Sequence, residues 1–303
     1  MQIVISGASG LIGKAVTRGL RGNGHNVRTL VRRPPASGSE IGWDPGAGIL
    51  DTAALEGVDA IINLSGAGIG DRLWTRRRIG ELHSSRILAT RTLVNGMQRL
   101  ESPPSVFISQ SASGYYGDAG PAVLSEGSPA GSGVLAGLCL EWEAAAHEAP
   151  DGVRVVTPRT GVVLSPIGGA FGKLLPLLRL GLGGPLGNGR QYWPWVTLPD
   201  VVEAFSFLLQ KPVTGPVNLA APESAQLRSL ISQVASALNR PALLRVPGPV
   251  LRLTMGKLAD ELLLSSQRLE PAVLTAAGFR WQHPSLSAAA GWMAARHDGG
   301  RIS

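Results

Sequence analysis

The chain has 303 residues, 44% hydrophobic and 16% charged, with a net charge of +7 at pH 7, a balance that describes a compact folded protein rather than a disordered one. The basic surplus is mostly arginine, and its densest runs, Arg76-Arg77-Arg78 and Arg32-Arg33, are not interleaved with aromatics, which argues against specific nucleic-acid recognition. One cysteine, Cys139, excludes an internal disulfide and a multi-thiolate metal site. The histidines (His25, His83, His147, His283 and His297) show no metal spacing. The longest apolar run, Phe171 to Leu186, is broken by lysine, arginine, glycine and proline, so no bilayer-spanning segment and no membrane partner are expected. No basic-then-apolar leader precedes the first strand, and the cytoplasm is the expected compartment.

In chain order, Gln2 to Ser6 reads as a β-branched apolar strand that ends in Gly7-Ala-Ser-Gly10-Leu-Ile-Gly13. The stretch that follows is amphipathic, with Ala15, Val16 and Leu20. A strand, a glycine turn and a helix in that order form a dinucleotide-binding signature. Gly7 permits the tight turn, Gly10 lets a pyrophosphate approach the backbone, and Gly13 lets the helix pack close to the strand. The free N–H groups at the helix start then face the phosphates.

Further strands are expected at Val27–Val31, Asp59–Leu64, Ser105–Ser109 and Val153–Val156, and helices at Trp74–Leu100 and Leu135–His147. This alternation predicts an α/β fold, a Rossmann-type doubly wound parallel sheet with right-handed crossovers. Beyond Gly161 the chain turns glycine-, proline- and leucine-rich as far as Gly189. Asp200 is expected to cap a helix starting at Val201. A short strand at Val217–Leu219 and a helix at Leu227–Leu238 follow. The tail from Pro247 reads as mostly helical, with a stop at Gly278 and a start at Pro284. The expected division is a nucleotide-binding part over 1–165, with later segments interleaved, and a smaller, mostly helical substrate region over 166–303.

The end of the second strand decides between the two nicotinamide dinucleotides. An acid there would hold the ribose 2′-OH, and an arginine would accept a 2′-phosphate. The chain reads Leu30-Val31-Arg32-Arg33-Pro34, with no acid. Elsewhere on a surface both arginines would be ordinary solvated residues; at this position they point to NADP(H).

Together with the glycine turn, several further segments resemble the extended short-chain dehydrogenase/reductases of the nucleoside-diphosphate-sugar epimerase type. A narrower likeness is to the atypical "epimerase family". It is carried by Ile62-Asn-Leu-Ser-Gly66, Trp74-Thr75, Ser84-Ser-Arg-Ile87, Ser111-Ala-Ser-Gly-Tyr-Tyr-Gly117, Pro158-Arg-Thr-Gly-Val-Val-Leu164 and Gly183-Gly-Pro-Leu-Gly-Asn-Gly-Arg-Gln191. The tail, about 247–297, resembles that family's own C-terminal domain. The resemblance implies a Rossmann fold that binds NADP(H), and it runs nearly end to end. Carried over by position, the cofactor would meet Gly7, Ser9, Gly10, Leu11, Ile12 and Gly13, then Arg32, Arg33 and Asp44. It would also meet Leu64, Ser65, Gly66, Arg86, Ser109, Thr160 and Gly161. Asp44 suits either the adenine or a plain turn, and Arg86 either the pyrophosphate or a solvated helix face. Trp74, Arg190, Gln191 and Trp193 are candidate substrate-pocket walls; an interface or ordinary core would use the same residues.

The superfamily's chemistry normally needs a Tyr-x-x-x-Lys pair, about one helical turn apart. The only tyrosines are Tyr115, Tyr116 and Tyr192, and four residues after them stand Ala119, Gly120 and Val196. By resemblance the pair falls at Leu135 and Cys139, neither of which does that work. The replacement candidates are Ser111, with Ser113 as competitor, and the phenol of Tyr116. A tight Gly-Tyr-Tyr-Gly turn with packed rings is the other reading of that segment. Cys139 reads as a buried structural thiol.

These observations lead to an NADP(H)-dependent oxidoreductase or epimerase-like enzyme acting on a small molecule with nonstandard acid–base groups. The alternative is an NADP(H)-binding sensor or interaction protein without turnover. By analogy with the superfamily, a homodimer is possible.

Overall fold

Along the first strand, β1 (Gln2–Ser6), Ile3 and Ile5 enter one apolar core while Val4 enters another. This is the alternation expected of a strand buried on both faces. The computed structural model describes residues 1–295; His297 and the end of the 247–297 segment lie outside the described residues. After β1 come α1 (Leu11–Gly22), β2 (Asn26–Val31), β3 (Glu40–Asp44), β4 (Ile49–Leu50), β5 (Ala60–Asn63) and α2 (Arg76–Met97). Next are β6 (Val106–Ser109), β7 (Ser111–Ala112), β8 (Val123–Leu124), α3 (Val134–His147) and β9 (Arg154–Thr160). Then follow β10 (Val162–Leu164), α4 (Gly169–Arg179), β11 (Tyr192–Trp193), β12 (Trp195–Thr197), α5 (Leu198–Gln210) and β13 (Gly215–Leu219). The chain finishes with β14 (Ala225–Gln226), α6 (Leu227–Ala237), α7 (Gly248–Met255), β15 (Arg268–Leu269), α8 (Ala272–Ala276) and α9 (Leu286–Ala295).

The main sheet runs β13-β9-β6-β5-β1-β2-β3-β4, with β7 beside β9. Every pair is parallel except β3–β4. Ile62, Ile108 and Val156 extend the core of Ile3 and Ile5 on the face covered by α1 and α5, where Val16, Leu20, Val201, Phe205 and Leu208 are buried. Ile61, Phe107 and Val155 extend the core of Val4 on the opposite face, against Ala89, Leu93 and Met97 of α2. This is the expected α/β Rossmann-type sheet. Its last strand and α5 come from beyond residue 166. A separate apolar core (Phe171, Leu175 and Leu178 of α4, Trp193, Trp195, α6 and α9) builds the C-terminal region.

Several boundaries differ from the sequence expectation. The long helix begins at Arg76 rather than Trp74, because the Thr75 side chain caps it by accepting from Arg78 N–H. Asp200 does not cap α5. Thr197 does, accepting from Asp200 N–H, and Asp200 is the third helical residue. Its fully buried carboxylate instead accepts from Gln282 and His283 N–H, tying the C-terminal segment to the helix start. Helix α4 lies within the glycine-, proline- and leucine-rich stretch, for which the sequence offered no element, and Pro176 is inside it; burial of Phe171, Leu175 and Leu178 on one face outweighs the proline's cost.

The glycine turn sets how α1 meets the sheet. A Cβ on Gly13 would lie 2.2 Å from the Gly7 carbonyl oxygen, whereas one on Gly22 would meet nothing within 4 Å. Gly13→Ala is therefore expected to lose about 1–3 kcal/mol of stability through forced separation of helix and strand. Gly22→Ala is expected to gain up to about 1 kcal/mol by restricting the unfolded chain. Urea denaturation of the two variants beside the parent protein checks the contrast.

Candidate functional site

A cavity of about 1270 Å³ opens over the glycine turn at the carboxyl ends of β1, β2 and β5. Its floor includes Gly7, Ser9 and Gly10. Gly7 has φ +70°, and a Cβ there would lie 2.3 Å from the Leu64 carbonyl oxygen, so the turn admits only glycine at this point. Gly10 differs: a Cβ would touch only the Gly7 carbonyl, at 3.5 Å, and the rest of its surroundings is open cavity. Gly10 is also the N-cap of α1 and supplies no side chain, and the first turn carries no acid. Among the described residues the first amides of α1 are thus left without an intrahelical or side-chain acceptor at the cavity floor, a ready anion site.

The lining is also basic. Arg32 and Arg33 after β2, and Lys14 and Arg18 of α1, line the cavity together with Trp43 and Asp44. Asp44 Oδ1 accepts from Gly46 and Ala47 N–H, the turn role open to it from the sequence, while the residue still faces the cavity. Glu40, which sequence reasoning passed over, pairs with Arg33 through both oxygens at 2.6 and 2.8 Å. The hydrogen bond from Arg33, then that from Ala36 N–H, holds the Glu40 carboxyl below its usual range. The only signal in the chain was an acid seven residues beyond Arg33.

On the other side of the glycine turn from the β2 end runs the loop after β5, because β1 lies between β5 and β2 in the sheet. Leu64, Ser65 and Gly66 line the cavity. The loop is fixed from below by buried Asn63, whose Oδ1 accepts from Ser6 Oγ and Ser65 N–H and whose Nδ2 donates to Thr90 and to Ser109 Oγ. Ser109 therefore acts through that network rather than at the cavity wall. Arg86 departs from both roles open to it in the sequence. It is not among the residues that line the cavity, and it does not lie in solvent; it is 6% exposed. It donates to the Leu82 and Ala67 carbonyls and stacks on Trp142. Burial pushes its pKa down to about 10. Gly66 leaves it room, since a Cβ there would lie 3.0 Å from its guanidinium carbon. Leu11 and Ile12 begin α1, but Leu11 leans on Gly168 and Gly169, and Ile12 packs on the core. Thr160 is buried with no partner for its hydroxyl among the described residues, and Gly161 is pressed against the Pro194 carbonyl. Neither reaches the cavity.

The candidate catalytic hydroxyls are committed elsewhere. Ser111 is 1% exposed and donates to Glu143 at 2.6 Å; Tyr116 is 2% exposed. Tyr116 accepts from Arg159 at 2.9 Å and donates to Asn218 Oδ1 at 2.7 Å. Arg159 binds Glu143 through two nitrogens at 2.8 Å and lies over the Tyr115 ring. Although burial opposes its charge, the bonds with Glu143 and Tyr116 raise the Arg159 pKa; burial outweighs the same contact at Tyr116 and raises the phenol. The network locks β9, α3 and the Gly-Tyr-Tyr-Gly turn together. Cys139 is buried beside it, its thiol pushed up by burial to about 11.

The expected substrate walls do not border the cavity either. Gln191 and Trp193 are buried and both donate to the Leu263 carbonyl. Trp74 donates to the Ile69 carbonyl, and Arg190 is exposed. Leu135, in the tyrosine's place, has its N–H bonded to Glu261 from the C-terminal region.

Glu143→Gln leaves Arg159 charged and buried without its counter-ion. A loss of about 3–5 kcal/mol in unfolding free energy is expected, read by urea denaturation. A loss below about 1 kcal/mol would show that the pair does not hold this region.

Residues 3–220 match the NAD dependent epimerase/dehydratase family, and residues 246–293 match a domain of unknown function, DUF1731. An epimerase family protein of Mycobacterium tuberculosis is 41% identical over 97% of this chain and 98% of its own. Human epimerase family protein SDR39U1 is 34% identical over 95% and 98%. A crystal structure of the human protein with NADPH superposes with a TM-score of 0.90 at 32% identity, covering 97% of this chain and 99% of that one. A nucleoside-diphosphate sugar epimerase from Corynebacterium glutamicum superposes at 0.77 and 30% identity, covering 97% and 58%. With a cavity over the glycine turn of a Rossmann-type sheet, and a matching C-terminal domain, the chain belongs to the NAD dependent epimerase/dehydratase family, in its SDR39U1-like epimerase branch, and has that family's NAD(P)-binding fold.

Proposed function

We propose that this protein is an NADP(H)-dependent oxidoreductase or epimerase-like enzyme whose acid–base groups are not the superfamily's Tyr–Lys pair. The observation that carries the cofactor is the basic lining: Arg32 and Arg33 follow directly on β2, where the chain itself has no acid, and both line the cavity that lies over the glycine turn. The human relative was crystallised with NADPH, which supports the same reading. The α1 amides and Gly10 would hold the pyrophosphate, and the β2 end the adenosine 2′-phosphate. Bound there, NADP(H) supplies hydride transfer. The chain's own residues supply a turn fixed by Gly7 and Gly13 and a loop at Leu64–Gly66 braced by Asn63 and Arg86.

A second reading, an NADP(H)-responsive sensor without turnover, is favoured by one observation: the Ser111 and Tyr116 hydroxyls are both spent in the buried Arg159–Glu143 network.

Fluorescence titration of the parent protein with NADPH and NADH tests the cofactor. Tighter binding of NADPH is expected. Gly10 has an ordinary extended backbone and room for a side chain in the free protein. Gly10→Val should therefore keep the fold by circular dichroism, yet weaken both nucleotides at least about tenfold by blocking the pyrophosphate path. No binding of either nucleotide by the folded parent protein would overturn the proposal. NADPH consumption across a panel of carbonyl compounds then separates enzyme from sensor.

A further inference from the structure

The sequence presents Arg32 and Arg33 as equals, but the structure does not. Arg33 donates from both terminal nitrogens to Glu40, at 2.8 and 2.6 Å, and from one of them to the Pro34 carbonyl at 3.0 Å. That edge is the planar fork with which a guanidinium grips a phosphate, and here a carboxylate fills it. Glu40 is held independently: its Oε2 also accepts from Ala36 N–H at 2.7 Å. Its backbone is fixed as well, because it opens β3 in register with Thr29. Freeing Arg33 for a phosphate would leave the Glu40 carboxylate facing a second anion in the same cavity. The pair also closes the loop 34–39, because Arg33 and Glu40 stand at its two ends. Arg32, one residue earlier and exposed on the same cavity wall, has neither an ion pair nor a hydrogen bond among the described residues. Its fork is free.

We propose a division of labour between the two arginines. Arg32 is the ligand of the 2′-phosphate and determines the choice of dinucleotide, while Glu40 withholds Arg33 from the phosphate and uses it to brace the loop that walls the adenosine end. This rests on the NADP(H) reading above and deepens it. Because the brace shapes a wall common to both cofactors, its loss affects NADPH and NADH alike. Because Arg32 meets only the phosphate, its loss affects NADPH alone.

The test is the dissociation constant of NADPH and of NADH for the parent protein and for Arg32→Ala, Arg33→Ala, Glu40→Gln and the Arg33→Ala/Glu40→Gln double variant. For Arg32→Ala, NADPH is expected to weaken about tenfold or more, the scale of one lost charge-assisted pair, with NADH changed less than about twofold, so that the preference collapses. Arg33→Ala and Glu40→Gln are each expected to weaken both nucleotides by similar factors and keep the preference, and the double variant to be no worse than either single one. The sign at Glu40→Gln is decisive. If Glu40 merely competes with the phosphate for Arg33, its removal tightens NADPH, and the proposal fails. It fails equally if Arg33→Ala erases the preference as fully as Arg32→Ala. If the parent protein binds neither nucleotide, the cofactor reading itself falls, a result distinct from both.

Discussion

The close approach of α1 to β1 is the contact on which the nucleotide site depends. With a hydrogen on Gly13 in place of a side chain, the helix backbone comes against the Gly7 carbonyl, and with Gly7 at positive φ the chain turns under Leu64. Everything at the cavity floor follows from these two positions: the helix axis points its free amides at one spot, and Gly10 leaves that spot open. The fold thus builds an anion site from backbone alone. Side chains enter only at its edges, where Lys14, Arg18, Arg32 and Arg33 line the cavity.

Away from the floor, polarity is used to hold the scaffold. Asn63 ties three strands' ends to the loop that borders the cavity. Arg86 lies beneath that loop with its charge satisfied largely by carbonyls and an aromatic face. Arg159 and Glu143 occupy the interior between β9 and α3, and they recruit Ser111 and Tyr116. In the superfamily pattern, that neighbourhood carries the acid–base pair. Here it carries a neutralised ion pair whose removal from either side leaves a buried charge. The C-terminal region adds a carboxylate, Glu261, on the first amides of α3. It joins the two halves of the molecule at the place where the tyrosine is missing.

Much of this was legible in the chain. The central strands could be read from short apolar runs, and the glycine turn from its position between a strand and an amphipathic helix. The Arg32-Arg33 end of β2 was equally plain. What the sequence hid was of three kinds. Helix α4 was masked by Gly169, Gly172 and Pro176, although Phe171, Leu175 and Leu178 carried the spacing. The roles of Arg86, Ser111 and Tyr116 depended on partners 19, 32 and 43 residues away, and polarity alone gave no clue that they face inward. Glu40 was invisible as a partner because its meaning lies in the parallel register of β3 on β2. Periodicity reports which face a residue shares, and it carries no information about which distant charge will meet it.

The central claim is that NADPH lies across the glycine turn, with its phosphates on the α1 amides. Native-state amide hydrogen exchange with and without NADPH tests this most directly. Added protection is predicted at Leu11–Gly13 and Ser65–Ala67, with the amides of β13 and α6 unchanged. Protection absent from the glycine turn while NADPH is bound would place the nucleotide elsewhere and contradict the claim.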